Sequence, residues 1–145
     1  MSDVTSIPAS AENRIVVGVD GSDCASRALE YAAGEAQRTE SLLQIVSVFN
    51  GVASYGSMAQ PVLDQEAAEL AVREAMERAH QLRPGVVTKG ETVFGSVGQT
   101  LADVSKDASL LVVGTRGHSQ IVGLLLGSVS EYVVHHAHCT TTVVR

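Results

Sequence analysis

Aromatic and cationic residues are scarce in this sequence. Tryptophan is absent, and only three tyrosines and two phenylalanines occur among 145 residues, so a core must be built from aliphatic side chains. Lysine occurs only at positions 89 and 106, and the formal net charge is −6. Nonspecific nucleic-acid binding depends on many cationic contacts with phosphates. The composition therefore argues against a nucleic-acid partner.

Cysteines and long apolar segments are scarce as well. Cys24 and Cys139 are the only cysteines, which excludes a disulfide framework and fits reduced thiols in the cytoplasm. No run approaches the ~20 apolar residues that span a bilayer, so no membrane association is expected. Residues 1–12 lack the charged start and apolar stretch of a secretory signal. We expect a flexible N-terminal arm over 1–12 and one cytoplasmic domain over 13–145.

Hydrophobic residues alternate between short strand-like runs and helical spacing. Strands are predicted at residues 15–19, 42–49, 86–94, 110–113 and 141–144. The first helix follows Ser22, its predicted N-cap. Its apolar face comprises Ala25, Ala28, Leu29, Ala32, Ala33 and Ala36, and that of the second helix Ala67, Leu70, Ala71, Ala75, Ala79 and Leu82. This alternation predicts a doubly wound, open α/β sheet of five parallel strands, for which we expect the order 3-2-1-4-5.

Two predicted strand ends carry residues suited to ligand binding, and open α/β sheets bind ligands beyond the carboxyl ends of their strands. The first strand leads into Asp20, and the fourth into Gly114 and Gly117, followed after nine residues by Gly127 and Ser128. Glycines admit phosphate oxygens close to backbone N–H groups and permit positive φ angles. A helix N-terminus at Ser128, where Ser128 to Glu131 has the spacing of a capping box, attracts anions.

An isolated pair of glycines after a strand is usually a simple turn, so the complete spacing carries the prediction. The sequence contains neither the G-x-x-x-x-G-K-[ST] motif of P-loop proteins nor a G-x-G-x-x-G after the first strand. Arg116 is the one fixed cation of the glycine loop. We therefore expect a divalent ion such as Mg²⁺ to share the charge of a bound phosphate chain.

These motifs together resemble the universal stress protein family, over roughly residues 14–145. The resemblance rests on IVVGVDGS at 15–22, VVGTRG at 112–117 and GSVS at 127–130. ATP-binding members carry G-x2-G-x9-G-[ST], which Gly114, Gly117, Gly127 and Ser128 match without a gap. The resemblance implies a Rossmann-like fold of the adenine nucleotide alpha hydrolase type, and a cytoplasmic ATP-binding sensor or adaptor of the stress response.

Carried over by position, the resemblance implies a set of nucleotide-binding residues. The base is expected beside Asp20 and the backbone near Val48, with Gly18 and Val19 flanking the nucleoside. Val113 and Gly114 are expected at the ribose or first phosphate. The residues implied to hold the phosphates are Arg116, Gly117, Gly127, Ser128, Val129 and Ser130. An Asp20 carboxylate can accept a hydrogen bond from an exocyclic amine or a ribose hydroxyl.

Family members commonly form dimers through the closing strand, so the resemblance also implies a homodimer. The family usually has a proline and aliphatic residues where this chain has Thr140, Thr141 and Thr142. We therefore expect a dimer that is weaker than one with an aliphatic interface.

Other chemistry was weighed against simpler interpretations. His135, His136, His138 and Cys139 suggest a metal site, but consecutive helical residues point in different directions, and no metal ligands are predicted. Cys24 is either a reactive thiol near a helix start or a small packed residue. No catalytic residues are predicted, because no nucleophile, base and acid occur as a set. Two alternatives stay open: a slow ATPase using Asp20 and a metal, and a binder of cyclic AMP.

Overall fold

The computed structural model describes residues 13–50, 64–115 and 126–145, so the expected N-terminal arm lies outside the described residues. Within these ranges strands and helices alternate along the chain. The elements are β1 (Arg14–Gly18), α1 (Asp23–Thr39), β2 (Leu42–Phe49), α2 (Gln65–Leu82), β3 (Thr88–Phe94), α3 (Val97–Val104), β4 (Leu110–Gly114), α4 (Ser128–His136) and β5 (Thr140–Val144). A short 3-10 turn, Ser105–Asp107, follows α3.

The five strands form one parallel sheet in the order β3-β2-β1-β4-β5, which confirms the predicted topology. Each face of the sheet carries its own apolar cluster. One cluster joins alternate residues of β1 and β2 to α1 and α2, and the other joins the intervening residues to α3 and α4. The helices therefore cover both faces, as doubly wound sheets require. In the described part of the chain, no helix is both long and apolar enough to cross a membrane.

Helix α1 packs on the sheet through small side chains. All six residues predicted for its apolar face are buried. Most of them are alanines, which let the helix axis approach the strands closely. Its predicted N-cap is also confirmed, because the Ser22 hydroxyl accepts a hydrogen bond from the Ala25 N–H at 3.2 Å. Sequence spacing and capping chemistry together determine this helix.

Helix α2 is rotated slightly from its predicted orientation. It buries Ala68 and Val72, whereas Leu70, predicted to face the core, is 44% exposed. This face meets β3, where Gly90 has no side chain and receives Val72 and Met76 of α2. A Cβ at Gly90 would clash with the side chains of Met76 and Val72. The missing side chain of Gly90 therefore leaves room for this face of α2 against β3.

Candidate functional site

The first part of the site lies where β1 turns into α1. The Val19 N–H donates to the Val46 carbonyl at 2.9 Å and extends the pairing of Gly18 with Val46 by one residue. Asp20 and Val48 each lie two residues beyond that pair, so they flank each other at the carboxyl edge. The Asp20 carboxylate accepts the Ser22 N–H at 2.9 Å. That bond holds the carboxylate at the turn.

Gly21 allows the chain to leave β1 sharply. Its φ angle is 85°, in the left-handed region where a side chain is unfavourable. The turn brings Ser22 into position to cap α1, which starts at Asp23. Beside it, Val19 and Val48 are 8% and 5% exposed, and they belong to the apolar clusters on opposite faces of the sheet, so apolar residues underlie this half of the site.

The second part of the site lies at the end of β4. The first turn of α1 passes so close to Gly114 that a Cβ there would lie 2.8 Å from the Cys24 carbonyl carbon and 2.9 Å from its oxygen. Only glycine admits a backbone at this distance. The close approach joins the β1 and β4 ends of the site into one edge, at the point where the strand order reverses.

The third part of the site is the start of α4. Gly127 is its N-cap, with φ −77° and ψ 170°, and Ser128 is the first helical residue. The predicted capping box with Ser128 as the N-cap is therefore wrong. The predicted helix start at Ser128 is confirmed, and the cap is Gly127, whose N–H donates to the Thr115 carbonyl. The φ angle of Gly127 also shows that a left-handed backbone is not the reason for this glycine.

Ser130 closes the first turn of α4 against β4. Its side chain is 1% exposed, and its hydroxyl lies 2.9 Å from the Thr115 carbonyl oxygen and 3.0 Å from that of Gly127. The first helical hydrogen bond of α4 runs from the Glu131 N–H to the Gly127 carbonyl at 3.0 Å. The N–H groups of Val129 and Ser130 precede that bond, at the end of the helix that carries partial positive charge.

Ten of the twelve residues predicted for nucleotide binding fall within the described ranges, and all ten lie at or next to the carboxyl edge of the sheet. They are Gly18, Val19, Asp20, Val48, Val113, Gly114, Gly127, Ser128, Val129 and Ser130. Arg116 and Gly117 lie outside the described residues. Sequence reasoning missed Thr115, whose N–H donates to Val144 and whose carbonyl accepts from two residues of α4. Its position directly after Gly114 was the available signal.

The histidines near the end of α4 are placed apart from this edge. The ring of His136 stacks on Tyr132 with centroids 4.0 Å apart, and its Nδ1 lies 2.9 Å from the Tyr132 carbonyl oxygen. Across the described ranges, no three histidine, cysteine or acidic residues are grouped closely enough to hold a metal ion. Burial raises the pKa of the Cys139 thiol, partly offset by a hydrogen bond with Ser105. A raised pKa leaves that thiol less ionised.

Cys24 packs between α1 and the end of β4. Its sulfur lies 3.6 Å from the Thr115 hydroxyl and 3.2 Å from a guanidinium nitrogen of Arg27. Both cysteines are free thiols and both are partly buried. Cys24 therefore contributes packing beneath the site and contacts the residue that anchors α4.

Comparison with known proteins shows the family of this chain. The family model "Universal stress protein family" matches residues 12–145. The universal stress protein Rv1996 of Mycobacterium tuberculosis is 35% identical over 150 residues, which covers 90% of this chain and 47% of that protein. Rv2623 of the same organism is 36% identical over 139 residues, with the same coverage of both chains. The chain spans about half the length of the curated relatives that it matches.

Solved structures show the same architecture. The universal stress protein UspA from Lactobacillus plantarum superposes with a TM-score of 0.71 and 29% identity, over 95% of this chain and 100% of that one. A universal stress protein in complex with cAMP superposes with a TM-score of 0.73 and 30% identity, over 94% and 98%. From its sequence, its sheet topology and these matches, the chain belongs to the universal stress protein family.

Proposed function

We propose that this domain binds ATP at the carboxyl edge of its sheet and acts as a nucleotide-dependent sensor or adaptor of the stress response in the cytoplasm. One observation carries the proposal: a helix N-terminus capped by glycine faces the edge that also holds Asp20, with apolar residues beneath it. Adenine nucleotides combine an apolar base with anionic phosphates, so they match both halves of this edge.

The base and ribose fit the half of the edge formed by β1 and β2. In our proposal the base lies against the strand ends at Val19 and Val48, which are apolar and largely buried, and the Asp20 carboxylate is an acceptor for an exocyclic amine or a ribose hydroxyl. Val113, 3% exposed, and Gly114 lie next along the edge toward α4. A nucleoside in this position directs its phosphates toward Gly127.

The phosphates fit the start of α4. The N–H groups of Ser128, Val129 and Ser130 lie in the first turn, where the helix dipole favours an anion. In our proposal Arg116 and Gly117 complete the phosphate-binding loop, and Mg²⁺ balances the remaining charge of the triphosphate. The acidic and phosphate oxygens available here are the ligands that Mg²⁺ prefers.

A relative supports an adenine nucleotide as the ligand class. The solved universal stress protein in complex with cAMP is 30% identical to this chain and superposes over 94% of it. This observation also favours a second candidate, in which the domain binds cyclic AMP. Cyclic AMP has one phosphate and needs fewer donors from α4, so the two candidates differ mainly in their use of Gly127 and the residues after it.

Titration calorimetry with ATP, with and without Mg²⁺, and with cyclic AMP tests the proposal. We expect ATP to bind more tightly, and expect it to displace cyclic AMP in competition. Preferential binding of cyclic AMP would select the second candidate, and binding of neither ligand would refute both. Identification of the adenine nucleotide that co-purifies with the protein gives an independent check.

A single-turnover assay separates an adaptor from a slow ATPase. We expect release of phosphate from bound ATP far below the ~1–10³ s⁻¹ typical of enzymes, because the sequence offers no recognisable set of nucleophile, base and acid. If phosphate were released at enzymatic rates, and that release were lost in Asp20→Asn, the slow ATPase would be favoured over the adaptor. If the protein is an adaptor, bound ATP changes the protein surface at this edge of the sheet, and that change alters the affinity of the protein for a partner.

We also propose a homodimer through β5, an edge strand of the sheet. The Val144 carbonyl accepts the Thr115 N–H and so points toward β4. Since successive residues of a strand alternate, the Val143 N–H points toward the open edge, where a second copy can pair with it. Antiparallel pairing of two β5 strands gives a closed two-fold dimer.

Val143→Pro removes that outward N–H and should give a monomer, whereas the wild type should be a dimer that dissociates on dilution. Sedimentation velocity over a concentration series measures both. The Gly95 N–H donates to the Phe49 carbonyl, so by alternation the Thr92 N–H points to the open edge of β3; Thr92→Pro is therefore the matched control in the opposite edge strand and should leave dimerisation unchanged. A wild type that is monomeric at high concentration contradicts the dimer, and a dimeric Val143→Pro variant contradicts its location.

A further inference from the structure

The Thr115 carbonyl is the point at which the chain leaving β4 and the chain entering α4 are joined. It accepts the Gly127 N–H and the Ser130 hydroxyl, the latter at 2.9 Å. Both donors belong to the start of α4. The two ends of the glycine-rich segment are therefore connected by two hydrogen bonds to one oxygen atom.

Thr115 is itself held from two other directions. Its N–H donates to the Val144 carbonyl at 2.8 Å, which continues the β4–β5 ladder by one residue. Its hydroxyl lies 3.6 Å from the sulfur of Cys24 in α1. Thr115 is only 9% exposed, so β5, α1 and α4 together fix its position. A bond to Thr115 thus transmits the rigidity of the sheet to α4.

The Ser130 hydroxyl has a single proton and is almost completely buried. It lies within hydrogen-bond distance of the Thr115 and Gly127 carbonyls, so its proton is used inside the protein. A hydroxyl in this position does not donate to a phosphate outside the helix. Its effect on a bound anion acts through the orientation of the first turn of α4.

We propose that Ser130 is a positioning residue, whose buried hydroxyl ties α4 to the Thr115 carbonyl and so aims the N–H groups of its first turn at the nucleotide phosphates. The inference rests on the proposed binding of an adenine nucleotide. It assigns Ser130 a role that depends on its side chain, separate from any contact made by its backbone. The role concerns the phosphates alone, because the base lies at the other half of the edge.

The test compares affinities for ATP and for adenosine, which lacks phosphates, in wild type and in Ser130→Ala. Loss of one hydrogen bond that orients the donors should weaken ATP binding roughly fivefold. Adenosine should bind with unchanged affinity. A merely structural role would not separate the two ligands, since partial unfolding weakens both equally.

Ser105→Ala is the matched control. Ser105 is also fully buried, its hydroxyl donates to the Ala102 carbonyl at 2.6 Å and accepts the His138 N–H at 3.0 Å, and it precedes β4 at the opposite edge of the sheet. This variant should lose comparable stability and keep both affinities. Ser130→Thr, which retains the hydroxyl, should restore the preference for ATP over adenosine.

The outcomes separate the inference from the function on which it rests. Wild-type protein that binds neither ATP nor adenosine would refute the proposed function and this inference with it. Wild-type protein that binds both, with Ser130→Ala weakening ATP and adenosine equally or neither of them, would refute the inference alone. A selective loss for ATP, absent from Ser105→Ala, would support it.

Discussion

Helices α1 and α4 both begin at the carboxyl edge of the sheet, but their first turns are satisfied in different ways. The start of α1 is served by its own side chains: the Ser22 hydroxyl accepts the Ala25 N–H, and Asp20 accepts the Ser22 N–H. The N-cap of α4 is Gly127, which has no side chain to offer. The Ser130 hydroxyl in the first turn is turned inward to Thr115.

The charge at the two helix starts differs as well. Asp23 is the first residue of α1 and Asp20 lies just before it, so two carboxylates already occupy the positive end of that dipole. In α4 the acidic residue of the first turn is Glu131, three residues after the helix begins. The comparison teaches that a glycine-rich strand end alone does not define an anion site. The positions of carboxylates and caps at the helix start matter as well.

The largest expected effect comes from adding a side chain at the start of α4, where the two helices differ most. Gly127→Val should reduce ATP affinity at least a hundredfold, because its side chain occupies space that phosphate oxygens must enter. The variant should stay folded, since the φ of −77° at this position suits any residue. Titration calorimetry measures the affinity, and circular dichroism reports the fold.

Gly85→Val provides the control for that experiment. Gly85 lies after α2, and a Cβ there would meet nothing within 4 Å. This variant should bind ATP like the wild type. Unchanged ATP affinity in a folded Gly127→Val protein would show that phosphates do not approach the start of α4.

A second experiment tests the contact that joins the two helix starts. Gly114→Ala places a methyl group 2.8 Å from the Cys24 carbonyl carbon, and backbone cannot move aside as a flexible side chain can. Overpacking of this kind costs about 1–3 kcal/mol of the free energy of unfolding. Urea denaturation measures the loss, with Gly85→Ala as the matched substitution in open space. Equal stability of the two variants would mean that the backbone of α1 at Cys24 is not in close contact with Gly114 of β4.

Sequence patterns anticipated the regular parts of this structure better than its contacts. The strand order was predicted correctly, and so was the buried face of α1, because spacing within a helix determines which of its residues face a sheet. The rotation of α2 was missed, since the face it buries packs on Gly90 in a strand distant in sequence. The capping box at Ser128 failed for the same reason. The helix starts at Ser128 as predicted, but its N-cap is Gly127, which is bonded to Thr115, and no local pattern records that contact.

The same distinction between local patterns and distant contacts applies to the candidate site. Glycine spacing and the Asp20 turn are local signals, and ten predicted residues lie at or next to one edge of the sheet. The role of Thr115 arises from hydrogen bonds to residues 12, 15 and 29 positions away along the chain. Contacts of this range follow from the packed fold, so they become visible only when β4, β5 and α4 are placed together.

The smallest expected effect concerns the start of α1, and it tests whether the cap of that helix contributes to ATP binding. Ser22→Ala removes the side-chain cap of α1 and should cost about 1 kcal/mol of the free energy of unfolding. Asp64→Ala removes the matching cap of α2, where the carboxylate accepts the Ala67 N–H at 2.8 Å, and should cost a similar amount. Neither change touches the start of α4, so ATP affinity should remain within twofold of wild type in both. Urea denaturation and calorimetry give the two quantities. If Ser22→Ala weakened ATP binding as strongly as Gly127→Val while Asp64→Ala did not, the anion site would have to include the start of α1, and the division of roles between the two helices would be wrong.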